Sequence, residues 1–282
     1  MSENAEVTPN TESGAVLNSA SGPEVNLQGF HAFITGGSSG FGFEMAKTLL
    51  SHGATVAIAA RRSAKMDKAY ASLLSEGYDV TALEMDVRSR DSVAAAADVI
   101  AKKWDRLDML VNNAGIGMRD ANKGFPDSPA PFFEIPIDAF YDIVETNFIG
   151  YFLVARAFVP LMIKSGGGRV VTVSTGIATM TARGQLPYGP ARAGAEAMSV
   201  IMSGEMKDYN ITVNVLLPGG ASNTGFVTDD IREHFASRSL LPASILNEPI
   251  LFLASDEARG MTGERIIGKE FHEWLIEKGF RE

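Results

Sequence analysis

From residue 31 onward, short apolar runs alternate with longer stretches that are apolar on one face only. His31–Thr35 (HAFIT), Thr55–Ala60 (TVAIAA) and Val80–Leu83 have strand length and composition. Between them, Gly40–Ser51 and Ala64–Ser75 have helical period. Phe43, Met45, Ala46, Leu49 and Leu50 supply the apolar side of the first, and Gly77 stands where a stop is expected after the second. The alternation continues with a helix over Asp91–Trp104, for which Asp91 is the N-cap candidate, and a strand over Asp108–Val111. One long helix over Asp138–Lys164 follows, broken by Gly166–Gly168. Then come a strand (Arg169–Val173), a helix (Pro190–Asp208), a strand (Ile211–Leu217), a helix (Asn247–Ala254) and a closing strand (Glu264–Ile267). Strands separated by helices are βαβ units, and right-handed crossovers make them a parallel sheet with helices on both faces. The pattern predicts an α/β chain with a single-domain, doubly wound Rossmann fold and a seven-stranded parallel sheet over residues 27–270.

Two stretches fall outside the alternation. Ile116–Ile137 carries Pro126, Pro129, Pro131 and Pro136, and a second irregular segment runs from Pro218 to about Pro242. Residues 1–26 are rich in small polar residues, with four Glu and no Lys or Arg, and read as a disordered tail. The end, 271–282, reads as a C-terminal tail. Its stripe of Phe271, Trp274, Leu275 and Phe280 calls for burial, against its own domain or at a subunit interface.

Composition narrows the function. A net charge of -9 argues against nucleic acid as a partner, because phosphate binding needs clustered Lys and Arg. The chain has no cysteine, which excludes disulfides and thiolate metal sites and fits a reducing, cytoplasmic location. His31, His52, His234 and His272 are scattered without metal-ligand spacing. No apolar run reaches the roughly 20 residues that cross a bilayer, and the N-terminal segment has neither the apolar core of a secretory signal nor the arginines of a transit peptide. The expected partner is a small molecule, with no metal, membrane or nucleic acid.

In doubly wound sheets, ligands sit beyond the carboxyl ends of the strands. Here the first strand runs into Thr35-Gly36-Gly37-Ser38-Ser39-Gly40-Phe41-Gly42. Glycines at Gly36, Gly40 and Gly42 let backbone approach a pyrophosphate, and the helix that follows offers free N–H groups to an anion. Ser38, Ser39 and Phe41 complete that loop. The second strand ends at Ala60 without the acidic residue that grips the ribose of NAD, and Arg61 and Arg62 follow. Guanidinium groups match a 2′-phosphate, so NADP(H) is favoured over NAD(H).

Together with further motifs in order, these features resemble the short-chain dehydrogenase/reductase family from about Leu27 to Gly268. Asp86-Val87 is similar to that family's adenine-pocket pair. Asn112-Asn113-Ala114-Gly115 is similar to its fourth-strand motif, so Asn113, Ala114 and Gly115 are assigned to the cofactor. Pro218-Gly219 matches its nicotinamide-side turn. Thr224 matches the hydroxyl that follows, one residue further on than usual. Asn147 falls where the family has a proton-relay asparagine. The resemblance makes Tyr188 the acid/base. The family's lysine four residues later is Arg192 here, and its serine thirteen residues before is Thr175, with Ser174 a neighbouring rival. A fixed cation beside a tyrosine favours its phenolate, and a nearby hydroxyl holds the substrate oxygen. Arginine keeps its proton, however, and does not relay one as lysine does.

Met118, Phe125, Ile177, Gln185 and Phe226 are the candidate substrate wall, with Phe132, Phe133, Met180 and Phe235 nearby. Arg119, Lys123 and Arg183 are the alternative, for an anionic substrate. The implied activity is interconversion of a ketone or aldehyde with an alcohol, in a homodimer or homotetramer. Two other readings stay open: a cofactor-binding regulator without turnover, and an isomerase or dehydratase on the same fold.

Overall fold

A computed structural model describes residues 25–224 and 240–282. The tail over residues 1–24 and the candidates Phe226, His234 and Phe235 lie outside the described residues.

Seven parallel strands form one sheet in the order β3-β2-β1-β4-β5-β6-β7. They are β1 (His31–Thr35), β2 (Thr55–Ala60), β3 (Val80–Glu84), β4 (Met109–Asn112), β5 (Gly168–Val173), β6 (Ile211–Leu217) and β7 (Arg265–Ile267). The chain winds outward from β1 to β3, then crosses back to β4 and winds the other way. The switch point therefore lies between β1 and β4, where Phe33 registers with Leu110.

Side chains alternate across the strands and feed two cores. On one face, Ala32 and Ile34 of β1 meet helices α1 (Gly40–Ser51) and α2 (Ala64–Ser75) through Met45, Leu49 and Leu73. On the other, Phe33 and Leu110 meet α3 (Arg90–Lys103) and, further along the chain, α5 (Gly150–Lys164), through Ile100 and Phe158.

Several boundaries depart from the pattern. Helix α3 is capped by Ser89, whose hydroxyl accepts the Ser92 N–H, and Asp91 lies inside the first turn. The long helix is interrupted. Helix α4 (Ile137–Val144) passes through a π turn at Glu145–Ile149 before α5 begins. By length and mean hydropathy (1.5), Ile137–Lys164 would suffice to cross a membrane, contrary to the reading of the apolar runs. It packs instead on α3, β4 and β5 as a core helix. A four-residue helix, α6 (Ile177–Met180), and an earlier start for α7 (Tyr188–Glu205) complete the region after β5.

The last two helices are α8 (Asn247–Ala254) and α9 (Phe271–Glu277). The C-terminal stripe packs on its own domain. Phe271 and Leu275 join the first core, and Phe271, Trp274 and Phe280 surround the Phe252 ring of α8. The insert before α4 contributes Met118, Ala121 and Ile135 to a third, small core completed by Ile143 of α4 and Ala191 of α7.

Candidate active site

The carboxyl ends of β1 and β4 are tied together by side-chain hydrogen bonds. The Thr35 hydroxyl donates to the Val111 carbonyl (3.2 Å) and accepts from the N–H groups of Asn113 and Ala114 (3.0 Å each). The Asn113 amide donates to the carbonyls of Thr35 (2.9 Å) and Gly36 (3.2 Å). Gly36 has φ +69°, and a Cβ there would lie 2.8 Å from the Ala114 Cα. Ser39 precedes α1 in an extended conformation and makes no side-chain cap bond. The Ser39 side chain thus leaves the first N–H groups of α1 uncapped.

Above this floor opens a cleft of about 570 Å³, within the usual range for ligand sites. Gly36, Ser38, Ser39, Gly40 and Phe41 line one end of it, and Asn113, Ala114 and Gly115 line its floor. Arg61, Arg62, Asp86, Val87 and Thr224 line it too. Gly42 serves packing instead, since a Cβ there would lie 2.4 Å from the Gly36 carbonyl oxygen. Pro218 and Gly219 sit beyond β6. Gly219 has φ +90° and abuts Ile267 and Lys269, and the Pro218 carbonyl accepts the Lys269 N–H (3.1 Å).

The sequence reading missed several lining residues, among them Ser63, Lys65, Arg88 and Thr146. Lys65 adds a third cation to Arg61 and Arg62, and Ser63 caps α2 beside them. Arg88 grips Asp86 with two N–H groups (Nε to Oδ1 3.1 Å, Nη2 to Oδ2 2.7 Å) and reaches Asp142 on α4 with a third (2.5 Å). The Arg88 hydrogen bond holds the Asp86 carboxyl below its ordinary range, against the opposing effect of burial. The same bond holds Arg88 above the usual guanidinium range. The spacing of Asp86 and Arg88 was the available signal.

The remaining candidates form a cluster at the cleft wall. Asn147 lies in the π turn, fully buried, and pairs both ways with the backbone of Ile116: Nδ2 donates to the carbonyl (2.8 Å) and Oδ1 accepts the N–H (2.9 Å). Arg192, on α7, is 4% exposed. Its guanidinium carbon lies 5.4 Å from the centre of the half-buried Tyr188 ring. Gly115 makes room for both neighbours: a Cβ there would lie 2.4 Å from Arg192 Nη2 and 2.9 Å from Asn147 Oδ1. Asn147, Gly115, Arg192 and Tyr188 are therefore contiguous. Thr175, at the end of β5, is half-buried, and its carbonyl accepts from Arg265 Nη2 (2.9 Å). Its rival Ser174 is buried, with a hydroxyl that has no partner. Thr175 is the more accessible of the two.

The substrate wall is partly corrected. Met118 is 4% exposed and packs in the third core, so it supports the insert from beneath rather than facing an open cavity. Phe125 and the Tyr188 ring pack against that core. Ile177 is 64% exposed on α6, and Gln185 is half-buried. Among the described residues, no group of three or more His, Asp or Glu is arranged to hold a metal ion.

Comparison with known proteins adds to this geometry. The family profile described as short chain dehydrogenase matches residues 30–234. The uncharacterized oxidoreductase YxjF of Bacillus subtilis is 29% identical over 255 residues, covering 84% of this chain and 95% of its own. The 3-oxoacyl-(acyl-carrier-protein) reductase FabG of Escherichia coli is 31% identical over 250 residues, covering 86% and 96%. A short-chain type dehydrogenase/reductase from Mycobacterium marinum superposes with a TM-score of 0.77 at 26% identity, over 87% of this chain and 96% of its own.

Proposed function

The chain belongs to the short-chain dehydrogenase family, and on that footing we propose that it is an NADP(H)-dependent oxidoreductase interconverting a ketone or aldehyde and an alcohol. The observation that carries this reading is the Arg192 guanidinium set 5.4 Å from the Tyr188 ring, against Gly115 of the glycine-lined cleft.

The cleft fits a nicotinamide dinucleotide. The crowding at Gly36 and the uncapped start of α1 suit a pyrophosphate. The cations Arg61, Arg62 and Lys65 suit a 2′-phosphate and support NADP(H) over NAD(H). A bound nicotinamide supplies or accepts hydride. The protein's own part is the proton and the charge. Tyr188 gives its hydroxyl proton to a carbonyl oxygen, or takes one from an alcohol. Arg192 stabilises the oxyanion left on Tyr188, and Thr175 donates a hydrogen bond to the same substrate oxygen. The reductase activity in FabG's name supports carbonyl chemistry in this family. The exposed Phe152 on α5 and Val200 and Ile201 on α7 support assembly into a homodimer or homotetramer. The lack of cysteine supports a cytoplasmic location.

The test is oxidation of NADPH and NADH by the purified protein over a panel of ketones and aldehydes, with Tyr188→Phe and the pair Arg61→Ala, Arg62→Ala. NADPH is consumed in preference, Tyr188→Phe loses at least about a hundredfold, and the arginine pair loses most of the preference. A Tyr188→Phe variant at full rate, or a preference for NADH, overturns the assignment. NADPH binding without consumption favours the second reading, a cofactor-binding regulator, which the arginine at position 192 keeps open.

A further inference from the structure

An arginine in the lysine position has to be aimed as well as placed. An ammonium is close to a point charge, whereas a guanidinium is planar and acts through N–H groups in a fixed fork. In this site the aiming comes from residues far away in sequence. Arg192 Nη1 donates to the Tyr151 hydroxyl (2.5 Å) and to the Val173 carbonyl (2.9 Å). The Tyr151 hydroxyl donates in turn to that carbonyl (3.3 Å), which closes a triangle. The guanidinium carbon lies 5.5 Å from the Tyr151 ring and 5.4 Å from the Tyr188 ring. Nη2 is left over Gly115, at the cleft.

Tyr188 also hydrogen-bonds the guanidinium. Arg192 Nε is buried without a partner, and among the described residues no carboxylate is ion-paired with the guanidinium. Tyr151 itself is held firmly. It is fully buried, its carbonyl accepts the Asn112 amide (3.2 Å), and it lies four residues after Asn147, just past the π turn. Burial pushes its hydroxyl up despite the pull of Arg192, so it stays a neutral group that accepts and donates at once.

We propose that Tyr151 is the positioning residue that makes Arg192 usable in place of lysine, by pinning Nη1 so that the rest of the fork faces Tyr188 and the cofactor cleft. The proposal rests on the catalytic reading of Tyr188 and Arg192 given above. Tyr151 touches neither cofactor nor substrate and acts only through Arg192.

The test is a double-mutant cycle of the full chain: wild type, Tyr151→Phe, Arg192→Lys and the double variant. NADPH affinity is read by fluorescence titration and kcat on any carbonyl that is turned over. With Arg192 present, Tyr151→Phe lowers kcat by about tenfold or more, the usual cost of losing a hydrogen bond to a charged group, and weakens NADPH binding severalfold. In the Arg192→Lys background, the same change moves neither quantity more than about twofold, because a lysine does not use the Tyr151 hydroxyl. Equal losses in both backgrounds mean a merely structural tyrosine and overturn the proposal, as does no loss with Arg192 present. A Phe variant that folds only in the Arg192→Lys background is the same coupling read as stability and supports the proposal; one that folds in neither counts against it. If wild type turns over no carbonyl, the oxidoreductase reading fails, while the NADPH-binding cycle still decides the role of Tyr151.

Discussion

Gly115→Ala tests the packing of the cleft wall with the smallest possible change. The added Cβ would lie 2.4 Å from Arg192 Nη2, whereas non-bonded heavy atoms settle at about 3.5 Å, so the guanidinium has to retreat by about 1 Å. It is not free to do so, because Nη1 is bound to the Tyr151 hydroxyl and the Val173 carbonyl. A shift of about 1 Å stretches either bond beyond hydrogen-bond range. A hydrogen bond to a charged group is worth about 1.5–3 kcal/mol, so its loss in the transition state costs kcat about 10- to 150-fold. Asn147 Oδ1, at 2.9 Å from the same Cβ, leaves little room on the other side. The assay is steady-state NADPH oxidation beside a thermal melt, which separates damage to the site from overpacking that destabilises the whole fold. Combining Gly115→Ala with Arg192→Lys should cost less than Gly115→Ala alone, because the shorter side chain vacates the contact. A Gly115→Ala enzyme with kcat within twofold of wild type would refute the reasoning, since the guanidinium would then not need its present position.

Two further predictions rest on ion pairs around the site. Asp86, held below its ordinary value of 3.8 by Arg88, contributes stability that is present above that value and fades as pH falls through the lower folded-state value. Wild type is thus more stable than Asp86→Asn at pH 7, by under about 1 kcal/mol for a pair this exposed. Urea melts should show the gap closing as the pH falls below 3.8, and a constant gap would count against the linkage. Arg265 on β7 bonds Glu196 of α7 (2.9 Å) and the Thr175 carbonyl (2.9 Å), bracing the backbone at Thr175 against α7. Arg265→Met should lower kcat about fivefold, the equivalent of one hydrogen bond, and leave the KM for NADPH unchanged; an unaltered kcat would show that Thr175 needs no brace.

The frame of the fold was legible because its punctuation is local. β1, α1, β2 and α2 begin and end where glycines, serines and polar residues stop the apolar pattern, and the structure keeps those limits. The π turn at Glu145–Ile149 was not legible, since it widens one turn without disturbing the apolar face of a long helix. Ser89 and Asp91 are both capping residues, and only the backbone at Ser89 decides between them. Met118 shows the limit of apolarity as a signal. Its side chain asks for burial, but the sequence does not say whether a ligand or the insert's own core provides it. The glycine loop after β1 and the row Asn113-Ala114-Gly115 were readable as cleft lining because their spacing encodes the shape of the chain. The surroundings of Arg192 were not, since Tyr151 and Val173 lie 41 and 19 residues before it and meet it only through the sheet.

Those long-range contacts are what hold a buried arginine at position 192. Burial alone would push the Arg192 guanidinium down, yet its interactions with Tyr151 and Tyr188 outweigh it and hold the group above its usual range. The cation is therefore permanent. A carboxylate partner would have been the cheaper way to hold a buried arginine, and it would also have cancelled the field that the site needs. A phenol and a carbonyl orient the charge without neutralising it, so that, on the proposed reading, an oxyanion forming on Tyr188 would meet the full cation. A permanent cation carries no proton, and both faces of the Asn147 amide are committed to Ile116. On the proposed reading, the proton that Tyr188 exchanges therefore passes toward the cleft rather than inward through Arg192. On the proposed reading, arginine at position 192 trades a proton path for a fixed charge, and Tyr151 and Gly115 shape the space it occupies.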